Sequence, residues 1–431
     1  MILRLSTSAE RGFLVVAALG LAVFLSYFSI RNALAEQQAG LETPRGFSLA
    51  THLEPGNARN WYLLGRYRQY NLEDPDPTRA IAAYRTSLFF APESADTWLD
   101  LAAAYEFEGD VPAARDAFRK AKEAYPLSAV VAWRYGNFLL RQGEQDAAFR
   151  EIRRAVQADP KRAAEALSRC LRVDPDINTV LDQVLPASRD VYVDVLWDLL
   201  GDGKTEDALQ VWSRLAALHP QLPLSDVYPL VDSLTQKQQL RLARQIWDQA
   251  VTFTRIPQPL DPPGSLVWDG GFESGITGAG FAWKLPPVNR GVQVGVDARE
   301  KHSGKYSLRV SFDGKLDVNF QDVCQFVPVQ PSTAYKFSAW VQTRELTTDE
   351  GIRFRLNAFS PTGVSPVLTE DVRGTVPWKK IEIPWQSGND VNAMQICLKR
   401  NPSAAADNRI QGTAWIDDVA LLPASAGNAH P

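Results

Sequence analysis

The chain has 431 residues, 46 Lys and Arg against 50 Asp and Glu, and a formal net charge of −4. With 45% hydrophobic and 22% charged residues it has the make-up of folded protein, long enough for two or three domains, and neither a disordered chain, a multi-span membrane protein nor a collagen-like one. The slightly acidic balance argues against a nucleic-acid binder, which carries a basic face, and four His (His52, His219, His302, His430) with three Cys leave little for a His- or Cys-rich metal centre.

Residues 13–30, FLVVAALGLAVFLSYFSI, carry no charge. As a helix at about 1.5 Å per residue the run spans roughly 27 Å, close to the hydrocarbon thickness of a bilayer. Arg4 and Arg11 precede it and Arg31 follows, so the positive-inside rule predicts a cytoplasmic amino terminus over 1–12. Two readings stay open: an uncleaved single-pass anchor, or a signal peptide cut near Ala33-Leu34-Ala35. The anchor is preferred, because the run exceeds the usual signal core of about 7–15 residues and Arg31 abuts it. Both readings export the body of the chain, with the bacterial inner membrane and the periplasm as the expected location. Residues 31–56 read as a linker.

Next comes a helical repeat. Trp98, Leu101, Tyr105, Gly109, Ala114, Phe118, Ala121 and Pro126 recur one unit later as Gly136, Gly143, Ala148, Ala155 and Pro160. One unit earlier stand Trp61, Leu64, Gly65, Ala80, Tyr84 and Pro92. This spacing resembles the 34-residue helix-turn-helix of tetratricopeptide proteins. After Pro160 it weakens, though Gly203, Ala208, Trp212 and Pro220 keep phase, as do Ala243, Trp247 and Ala250. Residues 57–255 are read as such repeats. Small residues let paired helices approach and aromatics fill the gap beside them, so Trp61, Trp98, Trp212 and Trp247 are expected as packing residues. The resemblance implies a groove that docks a protein partner. Gly203-Lys204-Thr205 imitates the end of a phosphate loop, but the required Gly five residues earlier is Asp198.

A proline-rich linker, 256–264, leads into alternating strands over 265–423, and 424–431 reads as a tail. Tyr335, Phe337, Ala339 and Val341 alternate with Lys336, Ser338, Trp340 and Gln342. Ile352, Phe354, Leu356 and Ala358 alternate with Arg353, Arg355 and Asn357, and Met394, Ile396 and Leu398 with Gln395, Cys397 and Lys399. One face of each strand is expected in a core. The fold class is therefore multidomain: one transmembrane helix, an all-α superhelix, then an all-β sandwich of jelly-roll type.

Five markers stand in order: Asp269-Gly270-Gly271-Phe272-Glu273, His302 to Leu308, Val327 to Pro331, Tyr335 to Val341, and Trp415-Ile416-Asp417-Asp418-Val419. Together they resemble carbohydrate-binding modules of the family 4, 9 and 22 type, which share the galactose-binding-like jelly roll. The resemblance implies a structural calcium with carboxylates from Glu273, Asp417 and Asp418, a hard cation suited to oxygen ligands. It also implies sugar stacking on an outward aromatic, best Trp340. Arg353, Arg355, Asn357 and Gln395 are candidates to bind hydroxyls. Trp283 is a further candidate, though it, Trp378 and Trp385 suit packing better. If Val327 and Val329 face the core, Cys324 and Cys397 both face away from it, and a disulfide is open to them in an oxidising compartment. Cys170 is expected as a buried free thiol.

No H-E-x-x-H, G-x-S-x-G or G-x-G-x-x-G motif occurs. The resulting expectation is a non-enzymatic envelope protein that docks a protein partner and binds a polysaccharide or other glycan, in surface polysaccharide assembly or export. The alternatives are a purely protein-interaction scaffold with a structural sandwich and, less favoured, a glycoside hydrolase with two carboxylates in a cleft.

Overall fold

The computed structural model describes residues 8–254, 261–276, 278–285, 290–360 and 365–424. The expected linker over 256–264 falls partly outside them, as do most of the tail and of residues 1–12. The chain divides into two compact units, Met1–Pro186 and Ala187–Pro431.

In the first unit, α1 (Ser8–Ala39) contains the apolar run. Its span Arg11–Ala39 is 29 residues long with a mean hydropathy of 2.4, and the apolar window in it is wholly exposed. The length and composition are those of a membrane-crossing helix.

The segment expected as a linker is helical. α1 continues to Ala39, and α2 (Pro44–Leu53) follows, with Pro44 in its first turn and Thr43 accepting the Gly46 N–H at 3.0 Å. α2 buries Phe47 against Leu64 and Ala83. It thereby covers the apolar end that the first repeat would otherwise expose to water.

Three helix pairs follow: α3 (Ala58–Tyr70) with α4 (Pro77–Phe90), α5 (Ala95–Phe107) with α6 (Val111–Ala124), and α7 (Ala129–Arg141) with α8 (Gln145–Ala158). Their starts are written in the sequence. Asn57, Asp76, Ser94, Asp110 and Ser128 each cap a helix by accepting a first-turn N–H. The pairs close where side chains are smallest. A Cβ on Gly65 would stand 2.6 Å from the Tyr84 ring, and one on Gly136 would stand 2.7 Å from Ile152. Ala80, Ala114 and Ala148 are fully buried beside them. Two shorter helices, α9 (Ala163–Cys170) and α10 (Ile177–Gln183), end this unit, and Cys170 is a buried free thiol. Burial pushes that thiol up to about 12, which keeps it protonated and inert.

The second unit begins with two more pairs: α11 (Arg189–Gly201) with α12 (Thr205–Ala217), and α13 (Tyr228–Gln236) with α14 (Leu240–Thr252). Gly203-Lys204-Thr205 forms the turn between α11 and α12, with Gly203 at a φ of 75°.

Nine strands follow among the described residues. β1 (Val292–Asp297), β2 (Ser307–Asp313), β9 (Gln411–Pro423), β4 (Ala334–Leu346) and β7 (Gly374–Gln386) lie in that order in one sheet. β3 (Phe320–Pro328), β8 (Ala393–Arg400), β5 (Arg353–Ser360) and β6 (Val367–Leu368) form the other. All pairs are antiparallel. Phe337, Val341, Phe354, Leu356, Ile396 and Leu398 meet between the sheets, as the alternation predicts. The buried Arg400 is held by Asp317 at 2.6 Å.

The compact-unit boundary falls at Pro186 rather than in the proline-rich segment. The reason is Trp247, buried on α14. Its ring meets Trp268 at 5.3 Å and Phe281 at 6.2 Å between centroids. A Cβ on Gly280 would lie 2.3 Å from the same indole. Arg244 adds a hydrogen bond to the Leu266 carbonyl at 2.9 Å, and Arg241 one to Gln330 at 2.9 Å. The sandwich is thus packed onto the last helix pair rather than tethered to it.

Candidate functional site

Side chains of directly paired residues share a face of a sheet. On the four-stranded sheet the register sets Phe326 opposite Gln395 and Gln395 opposite Asn357. The next row holds Cys324, Cys397 and Arg355, and the row beyond holds Lys399 and Arg353. Val323, Val327, Phe354 and Leu356 take the opposite phase and fill the core, so these rows form the outer face. Cys324 and Cys397 are joined by a disulfide, with Cα atoms 4.1 Å apart.

Two aromatics complete the face. Phe326 and Phe359 stand ring against ring, centroids 4.5 Å apart and planes at 66°. Lys284 pairs with Cys324 through both backbone groups, and its Nζ lies 5.2 Å from the Phe326 centroid. Both Phe rings, Arg355, Asn357, Gln395 and Lys399 are half-buried. The surface therefore offers apolar ring area flanked by amide and cationic donors. Phe326, Phe359, Lys284 and Lys399 were missed as binding candidates. The signal was present: Phe359 continues the outward series Arg353, Arg355, Asn357, and Phe326 is out of phase with Val327.

The predicted sugar-binding residues do not form one group. Arg353, Arg355, Asn357 and Gln395 share the four-stranded sheet, whereas Trp340 lies on β4 of the five-stranded sheet. Trp340 is stacked by His302. Trp283 is corrected outright. It is 1% exposed, packs on Phe272 and donates its Nε1–H to the Asp269 carbonyl at 2.9 Å, so no ligand reaches it. Arg353 is held by Glu350 and Asp371.

The three acids expected at a calcium site lie at one end of the sandwich. Glu273 and Asp417 flank Gly271, where a Cβ would be 3.7 Å from Glu273 Cγ and 3.7 Å from Asp417 Oδ1. Asp417 Oδ2 accepts the N–H groups of His302 at 2.8 Å and Ser303 at 3.1 Å. Glu273 Oε1 accepts those of Lys305 at 2.6 Å and Tyr306 at 3.1 Å. Asp418 instead turns to His302 Nδ1 and the Ser303 hydroxyl, each at 2.6 Å.

Asp269 and Asp261 add two further carboxylates, also held by backbone N–H groups. Burial pushes Asp269 up to about 7 and Asp417 up to about 6, against the pull of those N–H donors. Burial raises Asp261 as well. Among the described residues, no three His, Cys, Asp or Glu side chains converge as a metal set. A cation between Glu273 and Asp417 would therefore draw much of its shell from carbonyl oxygens.

The helical unit has a polar focus of its own. Asp100, on α5, is buried and accepts from Tyr62 of α3 at 3.1 Å and Arg134 of α7 at 3.0 Å, with Arg66 at 3.6 Å. Burial, and then Asp100, push the Tyr62 hydroxyl up to about 12. One acid thus ties together the first helices of three successive pairs. No repeat-pattern position identifies it.

No protein-family model matches the sequence, and neither does any curated protein. Among solved structures, tetratricopeptide proteins resemble the helical part and carbohydrate-binding modules the β part. A family 61 carbohydrate-binding module solved with β-1,4-galactotriose is 20% identical with a TM-score of 0.27, covering 37% of this chain and 99% of that one. A family 4 module is 14% identical with a TM-score of 0.29, covering 37% and 99%. YrrB, described as a tetratricopeptide protein with an unusual peptide-binding site, is 16% identical with a TM-score of 0.26, covering 49% and 93%.

Proposed function

We propose that this chain is a non-enzymatic, membrane-anchored envelope protein whose sandwich binds a glycan and whose repeats dock a protein partner. The observation that carries the glycan half is the outer face of the four-stranded sheet. There the Phe326–Phe359 pair lies beside Asn357, Gln395 and Arg355, over a backbone pinned by the Cys324–Cys397 disulfide. Apolar ring faces match the CH faces of a pyranose, and amide and guanidinium groups match its hydroxyls. The disulfide supports export, because such bonds persist in oxidising compartments. The exposed apolar α1 supports anchoring in the inner membrane with the body of the chain in the periplasm. Assembly or export of surface polysaccharide is the role that joins these parts.

A calcium ion belongs to the proposal. It would be held by Glu273 and Asp417 and would supply positive charge to an acidic cluster held mainly by backbone N–H groups.

The test is a glycan array probed with the full chain in detergent, beside Phe326→Ala and Phe359→Ala. The expected result is binding by the parent and loss in both variants. A folded parent that binds no glycan sinks the reading. A second reading, a scaffold whose sandwich is structural, is favoured by the packing of Trp247 against Trp268 and Phe281. It would gain from such a blank array.

A further inference from the structure

The two outer faces of the sandwich differ in how their charges are balanced. On the five-stranded sheet, Lys336 and Lys380 both pair with Glu382 at 2.6 Å and Arg344 pairs with Glu300 at 2.7 Å, which leaves Arg309 as a cation there without an ion pair among the described residues. On the four-stranded sheet, Arg353 is neutralised by Glu350 and Asp371. Lys284, Arg355 and Lys399 form no ion pair within the described residues. The Nε of Arg355 is buried there without a hydrogen-bond partner. Asp322, the one acid in β3, has an interaction of its own. Even set against one of the three cations, it leaves two in excess.

These cations stand around the aromatic pair. Lys284, Cys324, Cys397 and Arg355 follow one another across the strands in register, and Lys399 sits one row on. At about 4.8 Å per strand, Lys284 and Arg355 are roughly 14 Å apart, so a chain laid across the sheet meets more than one cation. Guanidinium and ammonium groups without a carboxylate of their own prefer an anionic ligand, and Arg takes a carboxylate through two parallel N–H bonds.

Resting on the reading that this face binds a glycan, we infer that its ligand is an acidic polysaccharide whose sugar units carry carboxylates. The Phe rings take the sugar face, and Lys284, Arg355 and Lys399 take the carboxylates.

The experiment titrates the full chain in detergent with polygalacturonate, with its methyl ester and with polyglutamate. The acid polymer is expected to bind at least about tenfold more tightly than the ester, and more weakly as salt rises. Arg355→Gln with Lys399→Gln should lose about tenfold more affinity for the acid than for the ester, whose remaining loss is that of the hydroxyl contacts of Arg355. Lys336→Gln, on the opposite face, should change neither. Circular dichroism checks the fold, and Lys399→Gln alone serves if the double variant fails to fold. Equal binding of acid and ester overturns the inference and leaves the glycan face standing. Equal binding of polyglutamate also overturns it, since charge without sugar would then suffice. No binding of either pectin by a folded chain overturns it too, and the array then decides the broader reading.

Discussion

His302 lies flat on the indole of Trp340, ring centroids 3.8 Å apart and planes 15° from parallel, and meets Trp378 edge-on at 5.7 Å. Asp418 and its contact to His302 Nδ1 hold the imidazole there. The outward indole that the sequence offered as a sugar platform thus has one face covered by its own chain. Trp340→Ala is expected to cost about 1–2 kcal/mol of stability, from lost ring contact and packing, and to leave glycan affinity unchanged. Urea unfolding and the glycan array together check this. Lost affinity at unchanged stability would return the site to the five-stranded sheet.

The disulfide joins residues 73 positions apart. Constraining a loop of that length in the unfolded chain is worth about 2–4 kcal/mol. The double variant Cys324→Ala with Cys397→Ala is expected to lower the denaturation midpoint by a corresponding amount and to weaken glycan binding, since Arg355 shares a row with the bridge. An unchanged midpoint would show that the bridge is not formed in the native protein.

The buried acids set a pH dependence. Unfolded Asp releases its proton near pH 3.9, whereas Asp417 and Asp269 hold theirs to about 6 and about 7. Between those values the folded state binds more protons, so this contribution to stability is full below about pH 4 and lost as pH rises through 6 and 7. The lowered carboxylates Asp297 and Asp317 act in the opposite sense, at pH values below the ordinary range. In EDTA, urea midpoints are expected to fall between pH 5 and pH 7.5, and calcium is expected to reverse that fall. A flat profile contradicts the raised acids. A sloping profile that calcium leaves untouched removes the ion.

Trp247→Ala would empty the contact between α14 and the sandwich, at a cost of about 3–5 kcal/mol. Because Trp268 and Phe281 lose their shared partner, α11–α14 and the sandwich are expected to unfold in two calorimetric transitions instead of one. A single, merely lowered transition would mean that other contacts couple them.

Much of the fold was legible because it rests on local rules. The caps at Asn57, Asp76, Ser94, Asp110 and Ser128 mark helix starts, and Gly65 and Gly136 mark helix pairs that approach closely. Alternation along β4, β5 and β8 separated core from surface correctly. α2 was missed because its apolar set is short and follows a proline, and only packing on Leu64 makes it a helix of the fold. The change from helices to strands falls where the proline-rich segment stands, but that segment suggests a tether, while Trp247, which packs the sandwich onto α14, reads as one more repeat residue.

The sequence by itself determined which face each strand turns outward, since side-chain direction follows the two-residue period. It could not say which strands are neighbours. Strand order is set by long-range pairing, and that order puts Arg355 and Gln395 with Phe326 while leaving Trp340 on the other sheet. Charge balance also waited for the fold, because an ion pair depends on distance rather than composition. Only the tertiary structure could show Lys336 paired with Glu382 on one face while Lys284, Arg355 and Lys399 form no ion pair among the described residues on the other.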